Sequence, residues 1–428
     1  MPALANTNVL ANQLEKVDPT LPTLFERDDV FYSTIEKRNV EVISTRDMRI
    51  PLELRPGGRF GMFDSDGGDL GRGAGPEFDK AVINTVDFKY GVEWTKKAEW
   101  GTDDKRKAIV STLKHLLAKA MPEFRRNVEA LCMTAGDGVV ATVTSTSTAG
   151  GKDSIVCTTD GFGIKLLRQN NGYSIYNSTL TTRKPFSTLN SYDGYAPIDF
   201  YDLENKTVRF DGTTGGAAIV AGDKVVVEGT VATPPVSLFG VPYHHNGSSA
   251  GTWLGFNRAN TPEIRANRVN ANGAGLALPF ARLALNKIGD RVGASHGYRP
   301  VAWMHPCQQQ AYESLGQVAS IIQKVAREEN LNLYFNGNGM QLAGASVKPS
   351  FCWDKTRIDY VVKEVWGRAE MHPAKFYDVD GKRIFEIRGT SGGVAARQIF
   401  YIVASFNLFV NNPAACSYND GLAVPDGY

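Results

Sequence analysis

Apolar residues first recur at helical spacing, in two short pieces. Leu10, Leu14 and Val17 share one face; Leu24, Phe31, Tyr32 and Ile35 share another, after Pro22. Helices this short are marginal alone in water, so residues 1–39 read as an arm that must lie on something larger. The period then drops to two, the mark of strands with one buried and one wet face. Met48, Ile50, Leu52 and Leu54 alternate with Arg49, Pro51, Glu53 and Arg55. Val86, Phe88, Tyr90, Val92 and Trp94 alternate with Asp87, Lys89, Gly91 and Glu93. This predicts a hairpin over 40–101, its strands joined by a tip, 56–79, with eight glycines in 24 residues. A lone two-stranded hairpin is at best marginal in water. Nothing nearby in the sequence covers its aromatic face, so another surface is expected to.

The strongest helical pattern follows, over 102–136. Thr102 is a natural cap, and Asp103 and Asp104 favour the helix dipole. Ile109, Leu113, Leu116, Leu117, Ala120, Phe124, Val128 and Leu131 stay in phase across Pro122, and Gly136 supplies the stop. One kinked helix of about 48 Å is predicted. Over 137–240 short β-branched runs between Gly, Asn and Asp turns predict a small β-barrel or sandwich, closed by Pro234-Pro235. A connection, 241–275, leads to a mixed α/β stretch, 276–368, with helices over 277–292 and 307–329 around a buried strand at 300–304. The end, 369–428, is β again: a hairpin turning at Asp380-Gly381 and a nearly all-apolar strand over 398–410.

Composition narrows the classes. The 428 residues carry 47 basic and 45 acidic side chains, a formal +2, too balanced for a dedicated nucleic-acid binder. The longest apolar run, 399–410, falls short of the ~20 residues that span a bilayer. The N-terminus has neither a basic n-region nor an apolar h-region, so no secretory signal is expected. Five scattered cysteines without CxxC spacing read as free thiols in a reducing compartment. The near-zero total hides an asymmetry. Residues 1–101 hold 13 basic and 17 acidic groups, net −4, whereas 102–135 hold seven and four, net +3. The acidic arm and hairpin are therefore expected to dock on basic helices of neighbouring subunits, at Lys105, Arg106 and Lys107.

No catalytic constellation emerges. Gly389-Thr390-Ser391-Gly392-Gly393 fits GxSxG, but a nucleophile elbow needs a strand before and a helix after; here a strand follows, so a hairpin tip is the better reading. Asp64-Ser65-Asp66-Gly67-Gly68-Asp69 begins like a calcium loop but lacks Gly at position 6 and Glu at position 12. Gly71-Arg72-Gly73-Ala74-Gly75 is not GxGxxG and opens no helix. His244-His245, and His305 with Cys307, have no second pair at a zinc spacing. The six tryptophans are spread over strands and helix ends, which favours packing over carbohydrate stacking. The expectation is no metal, no cofactor and no enzyme activity.

An arm, an unsupported hairpin, a very long helix, an α/β body and a terminal long strand make a poor solitary globule and a good interlocking tile. This order resembles the major capsid proteins of tailed bacteriophages with the Hong-Kong-97-type fold. So do the segments Trp253-Leu254-Gly255-Phe256-Asn257-Arg258, Arg299-Pro300-Val301-Ala302-Trp303-Met304-His305-Pro306 and Ser405-Phe406-Asn407-Leu408-Phe409-Val410-Asn411-Asn412-Pro413. The resemblance implies an α+β capsid fold. Its parts would be an N-arm (1–39), an E-loop hairpin (40–101), a spine helix of the P-domain (102–136), a connection (241–275), an A-domain (276–368) and C-terminal P-domain strands (369–428), with 137–240 as an inserted β-domain.

The same resemblance implies self-assembly into hexamers and pentamers, maturation of a procapsid, and an icosahedral virion shell built in the host cytoplasm. Its contents would be double-stranded DNA held without sequence-specific contact. The implied partners are further copies of the chain, a scaffolding protein and a portal protein, with room for a decoration protein and no membrane. Intersubunit contacts are expected at Phe60, Met62, Phe63, Phe78, Phe88, Tyr90 and Trp94, and at Lys105, Arg106 and Lys107. Some relatives cross-link an E-loop Lys to a P-domain Asn; Lys80, Lys89, Asn411 and Asn412 are the residues of those types here. Two alternatives remain open: an encapsulin-like shell around a protein cargo, and a cytosolic hydrolase using Ser391.

Overall fold

A computed structural model describes residues 31–38, 41–42, 47–62, 71–103, 112–158, 164–169, 171–187, 194–215, 218–229, 234–293, 297–323, 335–336, 339–388, 394–425 and 427–428. The first long strands, β1 (Asp47–Arg55) and β2 (Glu77–Asn84), form an antiparallel hairpin with Met48 opposite Ile83 and Pro51 opposite Lys80. Strand β3 (Val86–Thr95) leaves that hairpin after one residue.

This corrects the expected pairing of 48–54 with 86–94 and ends the hairpin at Asn84 rather than at 101. Alternation assigns a strand its wet and dry faces but says nothing about its partner. Here β3 pairs along its whole length with a strand some 300 residues later, from Thr95 opposite Arg397 to Val86 opposite Phe406.

Helix α1 (Lys96–Asp103) starts six residues before the expected Thr102, and α2 (Thr112–Cys132) continues unbroken through Pro122. Gly136, at φ +86°, takes up the left-handed conformation at the exit that an L side chain would resist.

Six strands then close on themselves: β4 (Val139–Ala149), β5 (Lys152–Cys157), β6 (Gly172–Tyr176), β7 (Ala196–Asp202), β8 (Thr207–Phe210) and β9 (Lys224–Val227). The order runs β4-β5-β8-β7-β6-β9 and back to β4, antiparallel throughout. Closure leaves this barrel without free edges among these six strands. It is joined firmly to the body. Lys89 of β3 pairs with Glu228 at 2.8 Å, and Asn171 bonds Asn127 of α2 at 3.2 Å. Its interior residues Val140, Ile155 and Phe210 belong to the same apolar cluster as Phe124, Trp303 and Phe400 of the body.

The body holds two further sheets. One is mixed, built from β10 (Asn267–Asn270), β11 (Pro300–Met304), β12 (Gly339–Leu342), β13 (Ala345–Pro349) and β14 (Ile358–Val362). The other contains β3 together with β15 (Trp366–Phe376), β16 (Phe385–Arg388) and β17 (Val394–Val410). The last strand, β18 (Ser417–Asp420), crosses back to the mixed sheet, whose order is β10-β18-β14-β11-β13-β12, extended by Phe335–Asn336. Residues 369–428 therefore serve two sheets, which corrects their assignment to one domain. The strand is only four residues long, Ser417-Tyr418-Asn419-Asp420, so its sequence carries no sign of which sheet it joins. Helix α3 (Leu278–Val292) covers β10 and β18 with Ala281, Ala284 and Ile288, and α4 (Pro306–Gln323) lies against β13.

Between β3 and β15, β17 is buried over its last seven residues. Of the two polar residues there, Ser405 bonds Asp87 of β3, and Asn407 is paired at both ends of its amide. Its Oδ1 accepts from the Phe239 and Leu408 N–H groups, and its Nδ2 donates to the Asn84 carbonyl at 2.7 Å. One side chain thus ties the hairpin exit, the barrel exit and the central strand together.

Candidate assembly surfaces

The hairpin has a root and a bare end. At the root, Ile50, Leu52 and Leu54 are half-buried against the cluster of Trp253, Leu254, Phe256 and Ile264. The Val82 N–H donates to the Leu254 carbonyl at 3.0 Å, and Arg55 lies 3.5 Å from Glu77 and 3.3 Å from Glu263. Past Arg55 nothing in the described chain covers the hairpin. Phe60 and Met62 are each 98% exposed and Phe78 67%. Burying a side chain of this kind is worth about 1.5–3 kcal/mol, and an isolated chain forgoes that at all three positions.

The other expected contacts separate into two groups. Phe63, Lys105, Arg106 and Lys107 lie outside the described residues, as do Asp64–Asp69 of the calcium-like sequence and Ser391. Phe88, Tyr90 and Trp94 all pack on their own chain: Trp94 leaves no surface for a neighbour, whereas Phe88 and Tyr90 stay half-buried. Trp94 is fully buried, 5.8 Å from Phe400 centroid to centroid, and Phe88 packs at 4.9 Å on Phe406. Tyr90, half-buried against the same cluster, has its hydroxyl pKa pushed up to about 12 by burial. The physical reason is twofold: β17 flanks β3 in the sheet, and α2 packs on the same strand, with Leu116, Leu117 and Met121 in the same apolar cluster. Trp100 on α1, 72% exposed, is an apolar surface that the sequence pattern did not single out.

The described part of the arm is pinned rather than loose. Glu129, buried near the end of α2, accepts the Phe31 N–H on Oε1 at 3.0 Å and the Tyr32 N–H on Oε2 at 2.7 Å. A carboxylate there satisfies donors at the start of the short 3₁₀ turn Tyr32–Thr34 and favours its dipole. The Phe31 ring enters a cage of three tryptophans, edge-on to Trp303 at 5.2 Å, Trp353 at 5.5 Å and Trp366 at 5.6 Å. Residues 36–38 then run parallel to the outer edge of β15, with the Arg38 N–H donating to the Arg368 carbonyl and the Arg368 N–H to that of Glu36. Four separated segments meet at Phe31, and no local motif marks the site.

The histidines and the GxSxG sequence do no chemistry that the geometry reveals. His244 accepts from Trp253 Nε1 on Nδ1 and lies 3.1 Å by Nε2 from the Leu408 carbonyl, which fixes it as the neutral Nε2–H tautomer. Burial pulls its pKa down to about 3. His245 faces Asp359 at 2.9 Å, and Asp359 also accepts from Trp353 and from both Arg357 Nε and Nη2. Burial is the largest influence on Asp359 and opposes ionisation, but Arg357 and the hydrogen bonds together hold its carboxyl below the usual range. His305 accepts the Cys307 N–H on Nδ1 and so caps the start of α4. No group of three or more metal-ligating side chains occurs among the described residues. The GxSxG residues join β16 to β17, two paired strands, so the helix an elbow requires is missing. Of the tryptophans, all but Trp100 are buried, as packing rather than stacking platforms.

No protein-family model and no curated protein sequence matches the chain. Solved structures do. The chain is similar to the subunit in the capsid asymmetric unit of Cyanophage A-1(L), with a TM-score of 0.52 at 10% identity, over 95% of this chain and 96% of that one. Looser similarities are to the capsid of Myoviridae phage XM1 (TM-score 0.43, 11% identity, 96% and 97% covered) and to the SrpI encapsulin complex of Synechococcus elongatus PCC 7942 (0.43, 8%, 98% and 97%). The first of these carries the fold assignment: a mixed α/β capsid-subunit fold, rich in strands and poor in helices.

Proposed function

We propose that the chain is the major capsid protein of a tailed bacteriophage, a Hong-Kong-97-type tile that assembles into an icosahedral shell around double-stranded DNA. The observation that carries this is the end-to-end fold similarity to a cyanophage capsid subunit, and the bare hairpin fits it. In this reading the hairpin 47–84 is the E-loop, α1 and α2 form the spine, and the sheet of β3, β15, β16 and β17 is the P-domain. The mixed sheet with α3 and α4 is the A-domain, and the barrel is an insertion. The tile works by geometry. A-domains gather around the axes of hexamers and pentamers while E-loops reach over adjacent subunits, and closed symmetry makes many weak contacts collectively strong. A near-neutral chain suits a wall that must not hold the genome tightly. Scaffolding and portal proteins are its expected partners in assembly.

Expressed with its scaffold, the protein should form megadalton shells visible by negative stain; a stable monomer that never assembles would overturn the reading. Shells recovered with an enzyme inside and no DNA would move it to the protein-cargo class. Phe60→Ser with Met62→Ser should leave subunit stability within about 0.5 kcal/mol, since exposed positions away from packing contribute little. Shell yield should nevertheless fall severalfold. Unchanged yield would remove the tip from the interface.

Reversing Lys105, Arg106 and Lys107 to Glu should reduce assembly most at low ionic strength, where the attraction of the acidic arm is least screened. Shells indifferent to that reversal would end the electrostatic part of the proposal.

A further inference from the structure

We infer that the helix-covered face of the mixed sheet holds internal water, bound where Ser417, Asn419 and Tyr360 meet beneath α3. The register brings these residues together. Ser417 lies opposite Tyr360 of β14 on one side and Asn267 of β10 on the other, while Asn419 lies opposite Ile358 and Val269. Partners across a sheet share a face, and so do residues two apart in a strand. All three polar side chains therefore point the same way as Val269, Ala302, Met304 and Ile358, into the apolar core under α3. Each is completely buried.

Four polar atoms in this group find no protein partner: Ser417 Oγ, both Asn419 Oδ1 and Nδ2, and the Tyr360 hydroxyl. Because both ends of the Asn419 amide are unpaired, turning it over changes nothing. Two polar neighbours in the same core are engaged elsewhere. The Tyr312 hydroxyl donates to the Gln341 carbonyl, and the Asn267 amide donates to the carbonyls of Ala414 and Cys416. Buried polar atoms left unpaired in a core cost free energy, and native proteins rarely keep several together.

The chemistry of the set selects the ligand. A cation would satisfy Oδ1 and the hydroxyl oxygens but leave the amide N–H groups facing a positive charge, with no carboxylate in the group to balance it. An anion would leave Oδ1 unpaired. Water both donates and accepts, and one buried molecule makes about three hydrogen bonds, so one or two molecules answer all four atoms. Helix α3, which packs on β10 and β18, brings Ala281 and Ala284, two of the smallest side chains available, to this cluster.

The test is a density map of the full-length protein, as subunit or shell, at a resolution that shows ordered water. At least one peak should lie about 2.7–3.2 Å from two or more of these groups. Side chains paired directly with protein groups, or a dry site, would overturn the inference. Tyr360→Phe and Ser417→Ala give an independent reading, each removing a hydroxyl with little change in shape. If water bridges the group, each should lower the thermal midpoint by about 2 °C. A raised or unchanged midpoint in both variants means that the hydroxyls were unpaired and dry. Should one variant fail to fold, the map and the other variant still decide.

Discussion

Truncating Phe31 to alanine is expected to destabilise the folded subunit by about 3–5 kcal/mol, read as a lower denaturant midpoint at unchanged slope. The ring is fully buried, and its cage is built from large, fixed side chains. Trp303 and Trp353 stack on each other at 5.5 Å, and Trp366 is held on β15, so the walls have little freedom to collapse into the cavity. Edge-on aromatic pairs also add about 0.5–1.5 kcal/mol each beyond burial.

Glu129→Ala should act on the same joint, because it leaves the Phe31 and Tyr32 N–H groups buried without their acceptor. The two changes are in contact, so their combined cost should fall short of the sum. A Phe31→Ala subunit with the original midpoint would show that the arm root is an ornament on a body that stands without it.

That joint also shows where the sequence stops being informative. Leu24, Phe31, Tyr32 and Ile35 fall on one helical face, so the apolar character of the segment was legible, but its acceptor, Glu129, and its tryptophans come from segments up to 335 residues away. The α2 pattern, the barrel strands and the long β17 were readable because each is specified locally, by period, turn residues or length. Pairing is not local. The alternation in 86–94 described β3 correctly and its partner wrongly, since the strand it pairs with lies at 394–410.

The same error propagated to the surface. Phe88, Tyr90 and Trp94 pack against α2 and β17 of their own chain, whereas Phe60, Met62 and Phe78 remain bare once the chain is folded. A Gly-rich tip carrying aromatics was the better signal for an apolar surface left bare. A regular aromatic strand was the better signal for a core. Trp100 had no signal of either kind, being a single aromatic residue beside Lys96, Lys97 and Glu99.

The second large effect is on acid stability. His244 and His305 are neutral in the fold, with pKa values lowered by burial to about 3 and about 4 against an ordinary 6.5. His245 is lowered too, burial outweighing the help of Asp359. Groups whose folded pKa is depressed take up protons on unfolding. The stability they contribute is present above the unfolded pKa and is lost as pH falls from about 6.5 toward the folded values. Each of His244 and His305 should therefore cost close to 2 kcal/mol between pH 7 and 5, about 3–4 kcal/mol together. Asp359 adds a loss of the same sign, but only below the ordinary carboxylate range, because its folded pKa is also lowered.

Urea midpoints of the subunit at pH 7, 6 and 5 should fall steeply, well above the pH at which carboxylates titrate. His305→Gln should flatten the slope, because a neutral amide can still accept the Cys307 N–H at the start of α4 without binding a proton when the chain unfolds. A midpoint constant from pH 7 to 5 would mean that these histidines take up protons in the fold as readily as in the unfolded chain. That outcome contradicts the tautomer which Trp253 and the Leu408 carbonyl impose on His244, so the titration tests the packing of the core directly.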